Sequence, residues 1–241
     1  MKRMIDQENF NLICNSLKLL VNNSSPSTRA SAIHKMQNLL RFGQDMVMSL
    51  FLELSNDFHP GILKVAINPL QYLINYNFKA LIPFFKISLK IKESSDETGK
   101  LITAAYCRNY QGADSLINEF LEHNEPNIIV KTAFEFVEHE SKIEEALSLI
   151  ERFYSKDDKK LGSIYNQAFF HIKPSLFPEL KEFLFEYAHS NIGKYREHAY
   201  FEFLLKCAKK HPEDCIELSY INANSFESEH DYHDLTNKQL Q

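Results

Sequence analysis

The sequence predicts an all-α fold of paired helices, and three observations carry that expectation. Helix starts recur at Ser25-Pro26, His59-Pro60, Ser95-Asp96, Glu125-Pro126, Asp157-Asp158 and Gly193-Lys194. Counted from Pro26, Pro60, Asp96, Pro126, Asp158 and Lys194, the steps are 34, 36, 30, 32 and 36 residues, a period that stacked helical hairpins use. Between the starts, apolar residues recur at steps of three and four, which lines one face of a helix. Glycine is scarce, at 6 of 241 residues, whereas β-sandwiches and phosphate-binding α/β folds need more turns.

The elements follow in order. Phe10, Ile13, Cys14, Leu17, Leu20 and Val21 define a first helix over about Gln7–Val21. Asn22-Asn23-Ser24-Ser25 breaks it. Pro26 suits the first helical position, where a missing N–H costs nothing, with Ser25 as N-cap. Residues 26–54 read as the first hairpin, with Gly43 as a left-handed C-cap. The second opens at His59-Pro60, with an expected kink at Pro69 and a partner helix carrying Leu81, Ile82, Phe85 and Leu89, with Pro83 in its first turn. The third pairs Thr98–Asn109 with Asp114–Glu122. The fourth pairs Asn127–Glu138 with Ser141–Tyr154, the fifth Lys159–Ile172 with Ser175–Ala188, and the sixth Tyr195–Lys209 with Glu213–Ile221. Asn222-Ala223-Asn224-Ser225 reads as a turn opening a polar acidic tail over 222–241, with one short helix near Leu235. The expected organisation is a single array over 1–221: a capping helix in 1–25 and repeats in 26–221.

The opening helices of several hairpins share a proline, a basic residue and a small residue: Pro26, Arg29 and Ala32; Pro60, Lys64 and Ala66; Pro126, Lys131 and Ala133; and, in the last, Arg196 and Ala199. This resembles HEAT-like repeats, over about residues 26–220. The third and fifth hairpins lack the opening proline. Tetratricopeptide repeats have a similar period, but their Trp and Gly-Tyr signature is missing, and the chain holds no Trp. The resemblance implies a right-handed α-α superhelix, a solenoid of about six hairpins whose second helices form a concave inner wall. It also implies a scaffold, adaptor or sensor role rather than catalysis.

Composition bounds the function classes. With 44% hydrophobic, 12% aromatic and 24% charged residues, the chain has no disorder signature. Met1-Lys2-Arg3-Met4-Ile5-Asp6-Gln7-Glu8 turns polar at once, so no secretory h-region is read there. Leu81-Ile82-Pro83-Phe84-Phe85 is broken by Lys86 far short of a membrane span. The expectation is a cytoplasmic protein with no membrane partner. Cys14, Cys107, Cys207 and Cys215 form no C-x-x-C pair and read as buried thiols. Charge is uneven: residues 1–92 hold 11 Lys and Arg against 5 Asp and Glu, and residues 93–241 hold 16 against 27.

Motifs for chemistry are sparse. Neither Gly-x-x-x-x-Gly-Lys nor Gly-x-Gly-x-x-Gly occurs, and there is no Gly-x-Ser-x-Gly. His230-Asp231-Tyr232-His233-Asp234 reads as a solvated tail rather than a metal site, and Glu138-His139-Glu140 as a helix end. Of the paired carboxylates Glu144-Glu145 and Asp157-Asp158, the second reads as a helix cap. No cofactor is expected.

Two binding surfaces follow. Aromatic residues crowd the fifth and sixth hairpins, and Tyr187, Tyr195 and Tyr200 are the candidate anchors for a protein partner on the inner wall. The alternative is nucleic-acid backbone binding by a basic stripe built around Lys64, Lys86 and Lys90, joined by Lys79, Lys92, Arg29, Lys35 and Arg41. A HEAT-like alkylation-repair DNA glycosylase is the less favoured form of that alternative. Those enzymes use Trp with a catalytic acid, and Trp is absent here.

Overall fold

The computed structural model describes residues 7–40, 42–54 and 59–230. Among the described residues it is all helical, with no strand. The α-helices are α1 (Gln7–Val21), α2 (Pro26–Met36), α3 (Gln44–Leu54), α4 (Pro60–Ser88), α5 (Ser95–Cys107), α6 (Ala113–Leu121), α7 (Asn127–Glu138), α8 (Ile143–Glu151), α9 (Lys159–Phe169), α10 (Phe177–His189), α11 (His198–Cys207) and α12 (Pro212–His230). Single 3-10 turns lie at Gln37–Leu39, Lys92–Ser94, Pro174–Leu176 and Ile192–Tyr195. The chain divides into two compact units, Met1–Glu125 and Pro126–Gln241. The sequence suggested one array over 1–221. The division falls at Glu125-Pro126, one of the six helix starts.

In the first unit, α1 packs on α2 and α3, α2 on α4, α4 on α5, and α5 on α6. Phe10, Cys14, Leu17 and Val21 of α1 are buried, as their spacing requires. Two local expectations need correction. Gly43 is not left-handed, since Gly112 is the one described glycine with positive φ. Gly43 precedes α3, and its missing side chain makes room for the Phe10 ring: a Cβ there would lie 2.6 Å from Phe10 Cζ. The Ser25 hydroxyl, expected to accept from the free amides of α2, instead shares a hydrogen bond with Ser27 Oγ at 2.9 Å, while its carbonyl accepts from the Arg29 N–H at 3.2 Å.

Helix α4 starts where the sequence placed it, with His59 Nδ1 accepting from the Gly61 N–H at 3.2 Å and Pro60 in the first turn. Its break is not at Pro69. Asn77 is the residue that leaves helical geometry (φ −155°, ψ 79°). Asn77 Oδ1 then accepts from the Ala80 N–H at 3.2 Å and restarts the helix. Asparagine does this readily because its side chain mimics the carbonyl the backbone has lost. Pro83 therefore sits beyond the first turn of the second segment.

In the second unit, α7 packs against α9 and α9 against α11. In parallel, α8 meets α10 and α10 meets α12. The pairs α7–α8 and α11–α12 close the two layers, and rings of α9 and α10 stack between them, Tyr165 on Tyr187 at 5.2 Å. Asp158 caps α9, as its position suggested, accepting from the N–H groups of Lys160 (2.8 Å) and Leu161 (3.2 Å). The turn expected at Asn222–Ser225 is absent: α12 runs through it to His230. The helix expected near Leu235, the residues Asp231–Asp234 and Arg41 lie outside the described residues. All four cysteines are buried and unbridged. No helix of the described residues is long and apolar enough to cross a membrane.

Candidate protein-binding groove

Two of the three candidate anchor tyrosines are core residues. Tyr187 and Tyr200 each have 0% exposure, so a partner reaches neither ring. The cause is helical spacing. Tyr187 shares a face of α10 with Leu180, Phe183 and Leu184, and Tyr200 one of α11 with Phe203 and Leu204, all buried. The two rings meet edge to face at 5.7 Å, and Phe134, Tyr165, Phe169 and Phe183 extend the cluster. The guanidinium of Arg196, 4% exposed, lies 5.9 Å from both tyrosine rings. It donates to the Ala188 carbonyl at the end of α10, where a cation suits the helix dipole. Desolvation holds its pKa below the usual arginine range.

Tyr195, the third, is half-buried. Its hydroxyl donates to Asp157, which also pairs with Lys194 at 2.6 Å. These two hydrogen bonds hold the Asp157 carboxyl below its ordinary range. The arrangement fastens the loop after α8 to the turn before α11. The three tyrosines therefore do not form one exposed patch.

A groove lies between α8 and α10 of the same unit. It is a cavity of about 530 Å³ lined by Ile143, Glu144, Leu147, Ser148 and Glu151 of α8 and by Glu179, Glu182, Phe183 and Glu186 of α10. On α10 the four fall at i, i+3, i+4 and i+7, which is one stripe of a helix. Five of the nine lining residues are glutamates and none is Lys or Arg. The nearest lysine of α10, Lys181, is held by Asp214 of α12 at 2.8 Å. The floor is apolar: Leu147 and Phe183 are 8% and 2% exposed.

Like charges face each other here without a cation between them. Glu151 shows the consequence: burial first, and then Glu186 and Glu182, push its pKa above the usual carboxylate range. A cationic side chain laid in the groove would relieve that repulsion. The sequence carried part of this signal, since residues 93–241 are strongly acidic, but Glu144 was paired only with its neighbour Glu145. The alignment of α8 against α10 joins Glu144 and Glu151 to a stripe about 35 residues away, and periodicity within a single helix does not reveal it.

Lys64, Lys86 and Lys90 are all exposed. Lys64 lies before the Asn77 break and Lys86 after it, in the last turn of α4. Among the described residues, no group of three or more His, Cys, Asp or Glu is placed to hold a metal ion. No protein family, no curated protein and no solved structure matches the chain.

Proposed function

We propose that this chain is a non-catalytic protein–protein interaction module, a scaffold, adaptor or sensor. In this reading the groove between α8 and α10 receives a basic segment of its partner. The observation that carries the reading is the lining itself: five glutamates over an apolar floor, with no cation inside. A basic amphipathic segment complements both features, its cations between the carboxylates and its apolar side chains on Leu147 and Phe183. The two layers α7–α9–α11 and α8–α10–α12 support a HEAT-like right-handed solenoid for this part of the chain, with α8 and α10 as neighbouring second helices. Free, buried thiols suit a reducing, cytoplasmic setting.

The test is a fluorescence anisotropy titration with a labelled amphipathic Lys/Leu peptide. The expected result is binding that weakens as salt rises, because the contacts are ionic. Glu182→Lys together with Glu186→Lys should reduce affinity at least about tenfold, two reversed charges costing more than about 1.4 kcal/mol. Equal affinity in that double variant would sink the groove as the binding site.

A further inference from the structure

Between Asp57 and Glu93 the chain holds five lysines and no carboxylate. Helix α4 fills most of that stretch. Lys64, Lys79 and Lys86 on it are exposed, as is Lys90 just past its end. Tyr72 and Tyr76 lie among them, 53% and 39% exposed. At 3.6 residues per turn, Lys64, Tyr72 and Tyr76 fall within about a third of the helix circumference. Beyond Asn77, Lys79 and Lys86 are seven residues apart and share a face.

We propose that α4 binds single-stranded nucleic acid along its exposed residues, with its lysines on phosphates and Tyr72 and Tyr76 stacked on bases. Charge supplies the first half of the argument. A helix of 29 residues with three lysines and no acidic residue offers a polyanion no internal competitor along its length. Asp45 of α3 accepts the hydroxyl of Tyr76. That bond fixes the phenol end of Tyr76 and leaves the ring partly open.

The rings supply the second half. Among the described side chains of α4, Tyr72 and Tyr76 are the large apolar groups left exposed. Aromatic faces interleaved with lysines are how sequence-tolerant single-strand binders hold bases, since every base has a π-face. A duplex hides its bases and gives the tyrosines nothing to stack on. An acidic peptide would use the lysines alone.

The experiment is anisotropy with labelled oligo(dT) and oligo(U) strands of about 20 nucleotides, at about 50 and about 200 mM salt. Both strands are expected to bind at low salt. The slope of log K against log salt should be about −2 to −3, as three to four phosphate contacts on a single strand give. Preference for one strand identifies it as the natural class. Lys64→Glu with Lys86→Glu should cost more than about tenfold and flatten the slope. Tyr72→Ala with Tyr76→Ala should cost about tenfold with the slope unchanged, and the Phe pair at these positions should retain affinity, because only the ring stacks. The proposal is overturned if neither strand binds at low salt. It is also overturned if the Tyr→Ala pair binds like the parent, or if poly-glutamate or phosphatidylserine vesicles bind as tightly as the strands.

Discussion

The two units use the same building material to opposite electrostatic ends. In the first, α4 runs 29 residues without an acidic side chain. In the second, a groove between α8 and α10 gathers five glutamates without a cation. Both are paired-helix assemblies with an aliphatic and aromatic core. Helix packing leaves the outward positions free, so charge on those positions can diverge without disturbing the fold. In this chain the exposed faces carry the contrast in charge, and the buried faces carry the packing that both units share.

The largest expected effect separates the units energetically. Gly193 has no room for a side chain: a Cβ there would stand 2.0 Å from the Tyr187 carbonyl oxygen and 2.5 Å from Arg196 Nη1. A backbone oxygen at the end of α10 cannot yield as a flexible side chain would. Gly193→Ala is expected to destabilise the second unit by about 2–3 kcal/mol, the overpacking range. Hydrogen exchange should show faster amide exchange across α9–α11 with α4–α6 unchanged. Equal loss of protection in both units would break the comparison, since it would make them one cooperative body.

Much of this architecture was legible in the sequence, and the reasons are local. Helix α1 and helix α7 occupy the ranges that apolar spacing gave them, because amphipathic periodicity is a property of one segment. His59-Pro60 and Asp158 open helices as their capping chemistry demands. What was not legible depends on partners distant in sequence. The α4 break moved from Pro69 to Asn77 because a buried proline stays helical when its neighbours hold the segment, and Asn77 supplies its own cap. Tyr187 and Tyr200 looked surplus to the core because the count of aromatics in 183–203 exceeded what one helix face buries. Facing rings absorb them: Tyr165 and Phe169 of α9 meet Tyr187, and Phe169 meets Tyr200. The glutamate groove was missed for the same reason, being a property of two helices side by side.

A smaller effect tests that aromatic core ring by ring. Tyr165 donates its hydroxyl to the Ile150 carbonyl at 2.8 Å, while the buried Tyr187 hydroxyl has no hydrogen-bond partner. Both rings are fully buried and stack on each other. Tyr165→Phe should therefore cost about 1 kcal/mol, the worth of a buried hydrogen bond whose acceptor is then left bare. Tyr187→Phe removes an unsatisfied polar atom and should be neutral or stabilising. Denaturant melts of the two variants decide the matter. A larger loss at Tyr187 than at Tyr165 would mean that its hydroxyl is used, and would reopen a functional role for this ring.

The smallest effect is electrostatic and belongs to the groove. The folded-state pKa of Glu151 is raised, by burial and by Glu186 and Glu182. A raised carboxyl binds its proton more tightly folded than unfolded. Its contribution to stability is thus fully present below the unfolded-state value and is lost as pH rises through the folded one. In the parent protein the second unit should weaken slightly as pH climbs from the ordinary glutamate range toward neutrality. Glu151→Gln should flatten that slope, because the amide carries no charge to repel Glu182 and Glu186. Melting temperatures of parent and variant across that window measure the difference. A basic peptide in the groove should flatten the parent's slope in the same way, by neutralising the facing carboxylates. If the variant's slope matches the parent's, the glutamates are too well solvated to repel, and the charge argument for a cationic partner fails with it.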